Sequence, residues 1–154
     1  VALRKTRELL PVRDPTGRRI VKGVDDDANG SLDTFTHCFH NRDNQVLETR
    51  EGDDVSGAAP AAETLEPKHQ NIWSPRYVDS LILRDDHDAQ GDLIPANRLY
   101  YLNDANYNVT ALVGATGTAV ERYLYTPYGT PTVLDPNFTP DADGTGRLDR
   151  RGQC

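Results

Sequence analysis

The sequence predicts a mainly β protein, a meander of short antiparallel hairpins with long loops and loose termini. Two observations carry that reading. Short segments rich in β-branched and aromatic residues recur along the chain, and Gly, Asn, Asp and Pro punctuate them at intervals suited to tight turns. Nowhere does a sustained 3.6-residue apolar period appear, and the best helical candidate, residues 4–10 (RKTRELL), is too short to stand alone.

Taken in order, residues 14–22 (DPTGRRIVK) and 38–50 (CFHNRDNQVLETR) each join a polar turn to a Val, Ile or Leu strand. Residues 52–70 combine small residues, prolines and acids without periodicity and read as a loop or linker. Strands are expected at 76–84, 98–102, 108–113, 119–125 and 130–134. Within 119–125, Val120, Arg122 and Leu124 fall on one face and Glu121, Tyr123 and Tyr125 on the other. Residues 137–154 are polar and Gly-rich, a loose tail. The expected organisation is therefore 1–51 as loosely packed repeat units, 52–71 as linker, 72–136 as the main hairpin block and 137–154 as tail.

Composition sharpens the division. Leu, Ile, Val and Phe supply only 33 of 154 residues, close to the lower limit for a packed chain. All seven Tyr, Trp73 and Phe138 lie between residues 72 and 138, so the better core belongs to the second half. A net charge of −7 argues against nucleic acid, whose affinity comes from neutralising phosphates. No run is long enough to span a membrane as a helix. The chain begins with Val and contains no Met, which suggests a piece of something longer. Cys38 and Cys154 are far apart in sequence and imply no disulfide framework.

Few residues invite chemistry. In HCFH (37–40), Cys38 and His40 share one strand face and His37 takes the other, so the three cannot hold one metal from a regular strand. His69 and His87 read as solvated loop residues. Three segments, 25–33, 86–94 and 141–149, align without gaps as D-x-D-x-[N/Q/T]-G-x-L. They offer Asp25, Asp27, Asn29 and Asp33, then Asp86, Asp88 and Gln90, then Asp141, Asp143 and Thr145 as alternating oxygen ligands for Ca²⁺. The closing Glu of an EF-hand is replaced by Thr36, Asn97 and Gly152, so the expected affinity is weak. A second candidate is an aromatic surface of Tyr101, Tyr123, Tyr125 and Tyr128, whose rings could pack across strands with hydrated hydroxyls and meet carbohydrate.

The run 98–135, RLYYLNDANYNVTALVGATGTAVERYLYTPYGTPTVLD, resembles the YD-repeat, or Rhs, proteins. Its tyrosine-led unit Tyr125-Thr126-Pro127-Tyr128-Gly129 carries Thr where that family usually has Asp. Residues 72–85 and 44–50 fit the preceding strands. The resemblance implies a spiral of β-hairpins forming part of a shell that encloses a C-terminal toxin or effector, in a secreted or cell-surface protein. Its partners would be neighbouring repeats of the parent polypeptide and the enclosed domain. The family's shells often cut themselves using paired aspartates in a downstream motif of the form DPxGL; neither Asp135-Pro136-Asn137-Phe138 nor Asp14-Pro15-Thr16-Gly17 matches it, so the segment is expected to be non-enzymatic. The alternative is a cell-surface module that binds carbohydrate or protein through the tyrosine face, with Ca²⁺ as a candidate cofactor.

Overall fold

The computed structural model describes residues 7–25, 27–52, 65–77 and 79–140. The chain is mainly β, as its sequence predicts, with ten strands among the described residues and one short 3-10 turn at Pro95–Asn97. Two compact units are present. The first takes the described residues up to Gln70 together with His87–Leu93, and the second takes Asn71–Asp86 together with those from Ile94 onward.

In the first unit, β1 (Arg7–Arg13), β2 (Arg19–Asp25), β3 (Thr34–His40) and β4 (Val46–Gly52) pair antiparallel in chain order. β5 (Glu66–Trp73) then pairs with β4 through Glu66–Gln70, the part of it that belongs to this unit. On β2 the period of two is visible in burial: Val21, Gly23 and Asp25 are buried while Lys22 and Val24 are half-buried. Phe35 is fully buried, and Val21, Cys38 and Leu65 are buried with it in this unit.

The second unit contains β6 (Leu81–Asp86), β7 (Leu99–Asn103), β8 (Val109–Gly114), β9 (Ala119–Tyr125) and β10 (Pro131–Leu134), again antiparallel in chain order. Leu99, Tyr101, Leu112 and Tyr123 form its core, with Leu81, Val109, Val120, Tyr125 and Val133 packed against them. Tyr101 lies opposite Leu112, and Leu112 opposite Glu121, so one transverse row crosses three strands. Each such large apolar side chain contributes about 1.5–3 kcal/mol on full burial. Beside this core Arg98 grips Asp85 with two parallel bonds of 2.6 and 2.8 Å, the geometry that best compensates a buried carboxylate.

Two expectations need correction. Residues 66–70, read as loop, belong to β5. That strand is polar, and its pairing with β4 is reinforced by side chains: Gln70 donates to Glu48 at 3.0 Å and Lys68 faces Glu51 at 3.4 Å. Such a strand has no apolar period to betray it. The expected strand 76–84 begins only at Leu81, because the amide of Ser74 donates to the carbonyl of Ser80 and the amide of Ser80 to the carbonyl of Tyr77, bonds that bring these residues together ahead of the strand. The expected tail begins in order, since Leu134 bridges to Pro140; 141–154 lie outside the described residues.

Candidate functional site: capped hairpin tips and the β2–β3 loop

Seven tips in the described residues share one hydrogen-bonded design. They start at Asp14, Asn41, Asp88, Asp104, Gly114, Thr126 and Asp135. In each, the first residue's amide donates to the carbonyl four residues on, and the amide three residues on donates back to the first residue's carbonyl. The residue at that third step has positive φ: Gly17, Asn44, Gly91, Tyr107, Gly117, Gly129 and Phe138. This is a three-residue hairpin loop, a type I turn followed by one left-handed residue.

Side chains complete the design. At Asp14, Asn41, Asp88, Asp104 and Asp135, one side-chain oxygen accepts the amides two and four residues ahead, at 2.8 to 3.0 Å. Thr126 accepts only the amide of Thr130, at 3.1 Å. Gly114 has no side chain with which to do so. The cap therefore satisfies amides that the turn alone would leave to solvent. Its electrostatic trace is clear in two cases: hydrogen bonds from Thr16 and Arg18 hold Asp14 far below the usual carboxylate range, and those from Asn108 and Asn106 lower Asp104.

A second feature recurs six residues after the cap. Pairing slips by one residue at Ile20, Leu47, Thr110 and Val120, each skipped between consecutive partners. These β-bulges sit at the same distance from Asp14, Asn41, Asp104 and Gly114, and add local twist to each hairpin. The Thr126 hairpin pairs without a slip.

The β2–β3 connection departs from this pattern and is the candidate metal centre. Asp25, Asp27 and Asp33 each place an oxygen within 4.8 Å of the others. Asp25 is 1% exposed, and its two oxygens accept the amides of Asn29 at 3.0 Å and Gly30 at 2.8 Å. Burial acts to raise its pKa, but the amides of Gly30, Asn29 and Ala28 outweigh it and the net direction is down. The site thus holds a charged Asp25 beside two further carboxylates, with Asn29 tied to Asp27 and Ser31. Chemically it offers hard oxygen ligands.

The other two expected Ca²⁺ segments do not repeat this arrangement. Asp86 lies on β6 and pairs with Arg84 at 3.1 Å, Asp88 caps its own tip, and Gln90 is exposed there. Asp25, Asp27 and Asp33 form the one such cluster among the described residues. Asp141, Asp143 and Thr145 lie outside the described residues. The gapless alignment misleads because the repeat that matters pairs a capping side chain with a left-handed residue three places on. That spacing is the sequence signal for the caps at Asn41 and Thr126, where Asn44 and Gly129 mark the left-handed place; at Asp104 that place is held by Tyr107, whose residue type gives no such signal.

The four tyrosines do not make an open surface. Tyr101 and Tyr123 are only 9% and 3% exposed, and burial raises both phenol pKa values. The Tyr123 hydroxyl bonds the buried Glu121, and the Tyr125 hydroxyl donates to the carbonyl of Val109 at 2.9 Å. Tyr128, at its hairpin tip, is 97% exposed. The expectation of hydrated hydroxyls on a half-wet face is overturned because that face is the packed one. His87, expected to be solvated, is buried and bridges to Leu93, while His69 lies on β5.

No protein-family model matches the chain, and no curated protein matches it.

Proposed function

We propose that the chain is a non-enzymatic structural segment of an Rhs/YD-repeat protein, forming part of a β-shell that encloses a C-terminal toxin or effector. The observation that carries this reading is the repetition of one tip design at seven places, including the Tyr125–Gly129 unit on which the resemblance rests. There Thr126 stands where the family has Asp, and it performs part of the same capping task. Asp14 and Asp135, the two residues that precede prolines in the self-cleavage comparison, are both engaged as caps, which supports a structural role. A hairpin alone is marginal, so each unit draws stability from its neighbours. The test is to express the chain with the coding sequence that follows it and expose the product to protease. The downstream domain should resist cleavage while joined to the shell and lose that resistance when expressed alone; equal cleavage rates in both contexts contradict the proposal.

A second reading, that the β2–β3 loop binds Ca²⁺ weakly, is favoured by the convergence of Asp25, Asp27 and Asp33. Millimolar Ca²⁺ should then raise the melting temperature of the chain, and an Asp27→Asn, Asp33→Asn variant should lose the increase. An unchanged melt with wild-type chain removes the reading.

A further inference from the structure

We propose that Tyr77 and Tyr107 form an oxidative cross-linking site, at which a haem peroxidase using hydrogen peroxide joins the two phenol rings into a dityrosine. Their rings are stacked with centroids 4.0 Å apart and planes 3° from parallel. Both remain reachable, being 41% and 39% exposed. Tyr77 lies ahead of β6 and Tyr107 at the β7–β8 tip, so the pair joins two segments that are well separated in the chain.

The backbone at Tyr107 gives a separate indication that this ring is placed for a purpose. It occupies the left-handed position of its tip, with φ of 63°, a conformation that costs a bulky residue and that Gly adopts freely at four of the other tips. Phe138 is the other aromatic in that position, and its ring lies against the Arg122 guanidinium. In both cases the strained residue carries a ring that covers another side chain.

The chemistry needs only what the pair and the oxidant supply. The peroxidase removes one electron and one proton from each hydroxyl, leaving two phenoxyl radicals whose spin extends to the ring carbons beside the oxygen. Two such carbons combine to form one C–C bond. Each then gives up its hydrogen as a proton while its oxygen regains one, restoring both aromatic rings. The pair has lost two hydrogen atoms in total, and hydrogen peroxide, taking up two electrons and two protons, becomes two waters. Stacking holds the radicals together before they meet solvent or another chain. The remaining five tyrosines are placed differently: Tyr101 and Tyr123 are buried in the core, Tyr125 bonds Val109 through its hydroxyl, and Tyr100 and Tyr128 are exposed but stand outside the stacked pair.

The test treats dilute purified chain with a haem peroxidase and hydrogen peroxide, then maps cross-linked peptides by mass spectrometry. A monomer lighter by two hydrogens, with Tyr77 linked to Tyr107 and a raised melting temperature, is expected. Tyr77→Phe and Tyr107→Phe keep the rings but not the hydroxyls, and each should abolish the intramolecular link, whereas Tyr128→Phe should leave it intact. A link that survives Tyr77→Phe, that maps to other tyrosines, or that never forms within a monomer overturns the proposal.

Discussion

Asp104 takes the amides of Asn106 and Asn108 on one oxygen while its second oxygen accepts the Asn108 side chain at 3.0 Å. The same task falls to an amide oxygen at Asn41 and to a hydroxyl at Thr126. What capping takes is a short acceptor, not a charge. Charge adds a pH dependence. Asp14, Asp25 and Asp104 have folded pKa values below the ordinary one, so their stabilisation is present above the unfolded value, about 4, and is lost as pH falls through the folded values. Acidification from about pH 5 to about pH 2 should therefore lower the melting temperature, and Asp104→Asn should reduce that loss while keeping the cap. The left-handed residue makes a complementary demand. At Gly117 φ is 81° and an added Cβ would meet nothing within 4 Å, so Gly117→Ala should cost about 1–2 kcal/mol through backbone conformation alone. Gly117→Asn should cost less, as Asn44 holds the equivalent place; denaturant unfolding separates the two. These residues were legible as Gly, Asn and Asp turn signals, but the division of labour between first and fourth tip positions was not, because an aspartate ligand and an aspartate cap look alike in sequence.

At the scale of the hairpin, the cap and the bulge six residues later act together. The turn with its left-handed residue sets where the chain reverses, the cap satisfies amides within it, and the bulge shifts the register once before regular pairing resumes. The β8–β9 hairpin has the bulge and the left-handed glycine but no cap, since Gly114 begins its tip. A Cβ there would make only ordinary contacts, the nearest being Val120 at 3.5 Å. Gly114→Asp should therefore supply the missing acceptor and stabilise the chain by about 0.5–1.5 kcal/mol beyond Gly114→Ala, which controls for the loss of backbone freedom. Equal melts for the two variants would contradict the capping account. Strands β7 to β10 were readable from β-branched and aromatic segments between turn signals, with alternation visible in 119–125, and β9 falls on those residues. β5 was not readable, because Glu66, His69 and Gln70 are paired with strand residues that lie far away in sequence.

Across the molecule, aromatic content separates the two units much as composition suggested: the Leu99–Tyr101–Leu112–Tyr123 core lies in the second, while the first relies on Phe35 with Val21, Cys38 and Leu65. The tyrosine pattern that suggested a surface turned out to mark an interior, since alternation shows which residues share a face without showing which face is covered. What unites both units is the repeated tip, one device used many times. Amide hydrogen exchange across the whole chain tests that most directly. At tip after tip, the first-position amides of Asn41, Asp88, Asp104 and Gly114 should be protected, while the next amides, those of Arg42, Ala89, Ala105 and Ala115, exchange quickly. Uniform fast exchange through these segments, or protection that follows no common position from one tip to the next, would contradict it.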